Sequence, residues 1–426
     1  MKPELYDWLI NHTAFFLLKK EGKSMITQMK TGKHKGDYQV RIQPVNPLTH
    51  KRESWPVEYA ATKREAQKIE RKMWADFEDG YRMSDANDCF VESFKKFVEN
   101  RSVSISPVTL KTWQYSAKVF ENYFGKAKIK NITTQTVNDF AHSFVKNNAR
   151  ATVSPKSSLS TRLTHMRCYF DTLIGSVVKT NPVPKKALAQ FFQKNDFTVG
   201  KKYYVFADHE LELLVEKIKT DLDNAPITNW TTRLAIWCAL ETGMRSGEVQ
   251  ALHFSDVVSE NGCNFFRIWD SWSNSIAEFN GSLKQRPKGV TRDCLPISDE
   301  LLSYIQQYHS KQTEFLAKHE IKNELDLMFI NLHDYRKCND QVPVEQRSMN
   351  DMLKRLSSQL EIDPEDRRLS MYSFRHTVCT KLANNPQISN KWAADRMGHS
   401  LLEFTNTYVD SDQDTNDAML AIWQNR

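Results

Sequence analysis

Residues 397–408 read MGHSLLEFTNTY and place a phenol, Tyr408, nine residues after an imidazole, His399. A phenol is a weak nucleophile while it keeps its proton, ordinarily up to about pH 10, so it needs neighbouring cations or a base to attack anything. The chain offers cations where elements end. Arg245 follows the helix-breaking glycine in ETGMRSGE, Lys288 sits in the turn RPKGVTRDCLP, and Arg375 lies in MYSFRHTVCTKLA. Two guanidiniums can fork onto the non-bridging oxygens of a phosphodiester and hold the charge that spreads there under attack. A lysine in a turn can hand a proton to the leaving oxygen. Each residue also has a structural reading: Arg245 a helix-end charge, Lys288 a solubilising hairpin tip, Arg375 a carboxylate partner, His399 a cap, Tyr408 a core aromatic. The same stretch has the small-residue turn and apolar rhythm of a DNA-reading helix-turn-helix.

Other chemistries lack their residues. There is no GxxxxGK[ST] loop, dinucleotide fingerprint, HExxH or GxSxG. The acidic residues show no spacing that suggests a two-metal site, so no metal and no cofactor are expected. The seven cysteines are scattered without a CxxC pair, as in reduced thiols of a cytoplasmic protein. No apolar run reaches membrane-spanning length, and the patch near the N-terminus lacks the flanks of a signal peptide, so no membrane association is expected.

A chain of 426 residues has room for two or three domains. Its net charge of +7 is unevenly spread: residues 81–206 carry 20 Lys and Arg against 8 Asp and Glu, while residues 207–426 carry 24 against 33. A basic middle segment suits a grip on phosphates, or equally a solvated lysine-rich surface.

The elements that must position these residues follow from periodicity. The expected fold class is α+β and mostly helical. Near the N-terminus, DYQVRI (37–42) and SWPVEYA (54–60) read as strands of a small three-stranded sheet. A helix over 62–77 follows, with Thr62 and Glu65 as a capping box and Ala66, Ile69, Met73 and Phe77 on one face. Lys33, Lys35, Arg41, Lys51 and Arg52 gather on these strands and turns, where a basic sheet can enter a major groove. The middle segment reads as a helical bundle over 106–124, 133–147 and 158–174, the first opening on Ser106 and Pro107. Residues 194–206 read as a linker. Beyond it come helices over 206–218 and 230–254, the latter broken at Gly243, then short strands between about 264 and 298, then helices to the end. Met419, Leu420, Ile422 and Trp423 form an apolar tail, able to dock on this chain or on a neighbouring copy.

Taken in order, TGMRSGE, YSFRHT and GHSLLEFTNTY, with Lys288 eight residues before Pro296, make residues 207–426 resemble the catalytic domain of the tyrosine recombinases, the lambda-integrase family. That resemblance implies Tyr408 as nucleophile, forming a 3′-phosphotyrosyl link, with Arg245, Arg375, Lys288, His399 and Tyr372 around the phosphate and Glu248 in support. It departs from the pattern at Tyr372, where histidine is usual, and Lys284 is a second possible lysine. More loosely, residues 85–193, with TNP near their end, look like the helical core-binding domain, and residues 1–80 like an arm-type DNA-binding domain. The resemblance implies a site-specific recombinase that integrates or excises a mobile element or prophage without ATP or metal. It also implies double-stranded DNA with core and arm-type sites, a homotetramer in the synapse, and accessory DNA-bending or excision factors. A type IB topoisomerase or a non-enzymatic helix-turn-helix regulator are the competing readings.

Overall fold

The computed structural model describes residues 22–46, 50–53, 55–80, 85–409, 420, 423 and 424. It divides into two compact units, Met1–Gly200 and Lys201–Arg426. Met419 and Ile422 lie outside the described residues.

In the first unit, strands β1 (Lys23–Gln28), β2 (Tyr38–Gln43) and β3 (Glu58–Ala60) form an antiparallel sheet in that order. Alternation puts Val40 and Ile42 on the covered face, where both are fully buried against helix α1 (Lys63–Glu78). Thr62 and Glu65 form the expected capping box. Arg41 stands on the other face, opposite Met25, and is exposed. Sequence periodicity does not single out β1, because Ile26 is its one inward apolar residue.

A second core in this unit is built by four main helices, α2 (Phe90–Arg101), α3 (Pro107–Phe124), α4 (Thr134–Asn147) and α5 (Ser158–Asp171), with a short α6 (Ala187–Phe191). Ser106 caps α3 with Pro107 at its first position, as the sequence requires. α2 begins at Cys89 without a side-chain cap, so it lacks a start signal, although Phe90, Phe94 and Val98 recur every fourth residue. α5 stops at Asp171, three residues short of the expected end. Within this core His165 stacks on Trp113 at 3.7 Å and pairs with the Ser116 hydroxyl at 2.6 Å.

The second unit opens with α7 (Asp208–Asn224) and the apolar α8 (Ile227–Thr242), whose Trp230, Leu234 and Trp237 lie in the main core. A five-residue α9 (Ser246–Gln250) leads to strands β4 (Val257–Glu260) and β5 (Cys263–Ile268). After a small hairpin, β6 (Trp272–Ser273) and β7 (Glu278–Phe279), strand β8 (Arg292–Ile297) pairs antiparallel with β5. Then come α10 (Asp299–Lys318), α11 (Tyr335–Asn339), α12 (Gln346–Gln359), α13 (Met371–Ala383), α14 (Asn390–Met397) and α15 (Leu401–Tyr408). The last three pack on one another around a separate cluster of Cys379, Leu382, Ala393, Met397, Phe404 and Tyr408.

Gly243 ends α8 in the left-handed region, φ 63. An added Cβ would lie 2.7 Å from Met397 and 2.9 Å from Val378. The turn is thereby wedged against α13 and α14. Gly243→Ala is expected to lose about 1–3 kcal/mol of stability through left-handed strain and overpacking, read as a lower urea midpoint at unchanged slope.

Candidate active site

Four chain segments meet at one point of the second unit. Arg245 is the residue before α9, and its backbone N–H donates to Glu248 Oε2 at 3.0 Å. Its guanidinium donates to Glu248 Oε1 at 2.8 Å and to the Gly398 carbonyl at 3.0 Å. Arg375 projects from α13 and donates to the carbonyls of Gly243, at 3.1 Å, and Met397. A third guanidinium, Arg292 on β8, donates to Glu248 Oε2 at 2.8 Å and to the Met397 carbonyl at 3.2 Å. One carboxylate and the C-terminal carbonyls of α14 therefore hold three arginines.

α14 has to stop where it does. Gly398 takes φ 67, and a Cβ there would sit 1.9 Å from Arg292 Nη1, so only glycine fits against the guanidiniums. His399 then folds back, its N–H donating to the Ala394 carbonyl at 2.9 Å, and Ser400 caps α15 through Glu403 N at 3.1 Å. α15 carries Tyr408 as its last residue.

Tyr408 is 4% exposed and its ring stacks on His399, centroids 5.5 Å apart at 17°. Its hydroxyl interacts electrostatically with Tyr372 and Cys379. Arg375 is fully buried, while Arg245 keeps one fifth of its side chain exposed. Nε of Arg375 and Nδ1 of His399 are buried with no hydrogen-bond partner among the described residues. Orphaned polar atoms of this kind suit a ligand that can bond them.

Charge and burial set the protonation states. Burial would raise the Glu248 carboxyl, but Arg292, Arg245 and Arg375 outweigh it and hold it down at about 2. Burial and then the guanidiniums of Arg375, Arg245 and Arg292 push His399 down to about 3, so it is neutral near pH 7. For Tyr408 nearby cations do not win: burial, then Cys379 and Tyr372, raise its pKa, against the pull of Arg375.

The structure thus brings together Arg245, Arg375, His399, Tyr372, Tyr408 and Glu248. Lys288 is not among them. It sits exposed in the loop before β8, with its ammonium 3.8 Å from the place a Gly281 Cβ would take. Lys284, in that same loop, lines a cavity of about 330 Å³ together with Arg292 and Gly398. The five N-terminal basic residues belong to the other unit: Lys33 and Lys35 lie in the turn after β1, Arg41 on β2, and Lys51 and Arg52 before β3; Lys33, Lys35, Arg41, Lys51 and Arg52 are all exposed.

Arg292 escaped the spacing argument although it lies in RPKGVTRDCLP, because that stretch was read for its lysine alone. The available signal was strand periodicity: it shares a face of β8 with Cys294, which is buried. His376, beside Arg375, was also passed over, although its ring contacts Tyr408 at 5.2 Å.

The phage integrase family matches residues 205–415 of this chain. Among solved structures the chain is similar to the Tn1549 transposon integrase in complex with transposon right end DNA. The identity is 17% and the TM-score 0.59, covering 78% of this chain and 98% of that one. It is also similar to the XerH site-specific recombinase bound to a palindromic difH substrate in a post-cleavage complex, at 18% identity and TM-score 0.53, covering 85% and 90%. A lambda integrase dimer bound to a COC′ core site is similar at 15% identity and TM-score 0.51, covering 90% and 94%. At these identities the likeness is one of fold. No curated protein matches the chain by sequence.

Glu248 gives a pH prediction with a fixed sign. Its pKa falls from 4.5 to about 2 on folding, so its stabilisation is complete above pH 4.5 and is lost as pH falls toward 2. That loss is on the order of 3 kcal/mol at about 1.4 kcal/mol per unit. In Glu248→Gln this acid dependence should vanish, and stability at pH 7 should drop by about 3 kcal/mol as two partly buried guanidiniums lose their counter-charge. Urea unfolding of both proteins from pH 3 to 7 checks both statements.

Proposed function

The chain belongs to the phage integrase family through residues 205–415, and from that premise we propose that it is a site-specific DNA recombinase acting through Tyr408. The observation that carries the reading is the convergence of Arg245, Arg375 and His399 beside the Tyr408 ring, with unpartnered nitrogens on Arg375 and His399. A scissile phosphate bonded by those nitrogens would sit among cations held in place before it arrives, so little reorganisation is needed as charge builds.

Attack by the Tyr408 oxygen forms a 3′-phosphotyrosyl ester and expels a 5′-hydroxyl, with Lys288 as the acid for the leaving oxygen. A hairpin loop can swing that lysine inward once DNA is bound. The phosphotyrosyl ester keeps the bond energy, so a 5′-hydroxyl from a second duplex can reverse the attack without ATP or metal. Four copies on two aligned sites would exchange strands through a Holliday junction and so integrate or excise a mobile element or prophage, in the cytoplasm where the DNA lies.

Residues 85–193 serve in this reading as the core-binding domain and residues 1–80 as the arm-binding domain. The open face of the N-terminal sheet, with Arg41 beside exposed Met25 and Tyr59, supports the second assignment. This second DNA contact favours an integrase over a topoisomerase, which needs no paired sites. Accessory bending or excision factors complete the set of proposed partners.

A nicked duplex carrying the DNA that flanks the gene tests the chemistry. The wild-type chain should form a covalent adduct in the presence of EDTA, and Tyr408→Phe should form none while binding the duplex as well as before. An adduct mapped to another residue would overturn the assignment, and binding without any adduct would leave the regulator reading in its place. Arg245→Lys should lower the adduct rate about 10²–10³-fold, as loss of a preorganised donor does. Alanine at Lys33, Lys35 or Arg41 should each reduce the salt dependence of arm-site binding by about one counter-ion and leave adduct formation at core sites intact.

A further inference from the structure

At the second box this chain carries a phenol, Tyr372, where the resembled pattern has an imidazole. A phenol donates or accepts a hydrogen bond, but it takes up no proton near neutral pH. One helical turn further along α13 stands His376, half-buried between aromatic rings. Its centroid lies 5.1 Å from the Tyr372 ring at 67°, and 5.2 Å from the Tyr408 ring at 62°. On a further side it stacks on Tyr203, 4.7 Å away at 18°.

Tyr203 is itself fixed. Its segment bridges to Arg368, whose guanidinium lies 5.3 Å from the Tyr203 centroid, and the ring meets Tyr372 at 4.8 Å. His376 is thus clamped so that one imidazole touches both the nucleophile and the phenol beside it.

We infer that His376 is the proton acceptor for Tyr408, taking the hydroxyl proton directly or through the Tyr372 hydroxyl as the phosphate is attacked. The inference rests on the recombinase reading above. In the step, the Tyr408 O–H electron pair becomes the new oxygen–phosphorus bond and the proton passes to a ring nitrogen of His376. The phosphorus–O5′ bond breaks, its electron pair leaves with the 5′ oxygen, and that oxygen is protonated by the separate acid, Lys288. Religation runs the same transfers backwards.

The other groups around Tyr408 suit the task less well. His399 is pushed down to about 3 by burial and three guanidiniums, which makes it a feeble base. The Cys379 thiol is pushed up to about 11 by burial and keeps its proton. His376 is faced by Arg375 and Tyr372 on its own helix, by Tyr203 backed by Arg368, and by Tyr408 on α15. Burial and then Arg375 lower it from 6.5, so it is neutral near pH 7 and free to accept. The rate should therefore fall on the acid side, at a pH lower than that at which a free imidazole protonates, as His376 takes up its proton.

The test is single-turnover adduct formation by the full chain on the nicked flanking-DNA duplex, from pH 5 to 9. His376→Ala and the closer-sized His376→Gln should both slow adduct formation about 100-fold or more and abolish the acid limb. Tyr372→Phe should slow the reaction but keep the limb. Adding Tyr372→His to His376→Ala, which moves the imidazole one turn toward the start of α13, should recover part of the rate and restore a limb. Wild-type rate and limb in both His376 variants would overturn the inference, as would a limb that disappears in His399→Gln instead. DNA affinity and melting temperature are read alongside: equal losses of binding and of cleavage in both His376 variants would assign the ring to packing and equally overturn it. Absence of any adduct from the wild-type chain would instead bring down the recombinase reading, a separately recognisable failure.

Discussion

Three guanidiniums within one small volume repel each other, and the second unit is arranged around answering that repulsion. Glu248 bonds two of them, and the carbonyls at the end of α14 bond all three. Those carbonyls are the negative end of a helix, unsatisfied within it, so cations there are favoured twice, by the dipole and by the open acceptors. The balance is incomplete by design of the residues: three positive groups meet one carboxylate. An attacked phosphodiester, which gathers negative charge as the phosphorus adds a fifth oxygen, is the complementary guest.

Tyr408 lives under opposing pressures. Its ring belongs to a cluster with Phe404, Met397 and Cys379, so it packs as a core aromatic, and the proposed reacting role is asked of a residue that also holds the core together. Burial makes its proton harder to lose, and Arg375 makes it easier, with burial ahead. A phenol held in that condition keeps its proton, which disfavours attack on an electrophile. Its activation then belongs to the moment when a phosphate and a proton acceptor are both in place.

Much of this was legible in the residues, for reasons that differ from place to place. Thr62 with Glu65, and Ser106 with Pro107, announce helix starts because capping is a local hydrogen-bond problem solved within four residues. Arg245, Arg375, His399 and Tyr408 were found because a motif fixes residue types at short range, and the fold then closes the long gaps between them. What stayed hidden was long-range. Arg292 reaches Glu248 across 44 positions, and Tyr203 meets Tyr372 only through its bridge to Arg368. The raised pKa of Tyr408 was hidden for a related reason: proximity to arginines could be read from the motifs, but the depth of burial could not. Lys288 shows the converse, since a spacing rule can name a residue without placing its side chain among the arginines.

The position of Tyr408 within α15 carries a mechanical consequence. It is the final residue of its helix, and its carbonyl is tethered by one bond, from Asn384 Nδ2 at 3.3 Å. The end of a helix frays at little expense, because the last carbonyls have no intrahelical partners to lose. Freeing the phenol therefore means unpeeling a single turn, and what opposes it is the packing of its ring on Phe404, His399 and His376 rather than helix hydrogen bonds. Had the same residue been set in mid-helix, any excursion would have dragged the whole rod and its anchoring glycine with it.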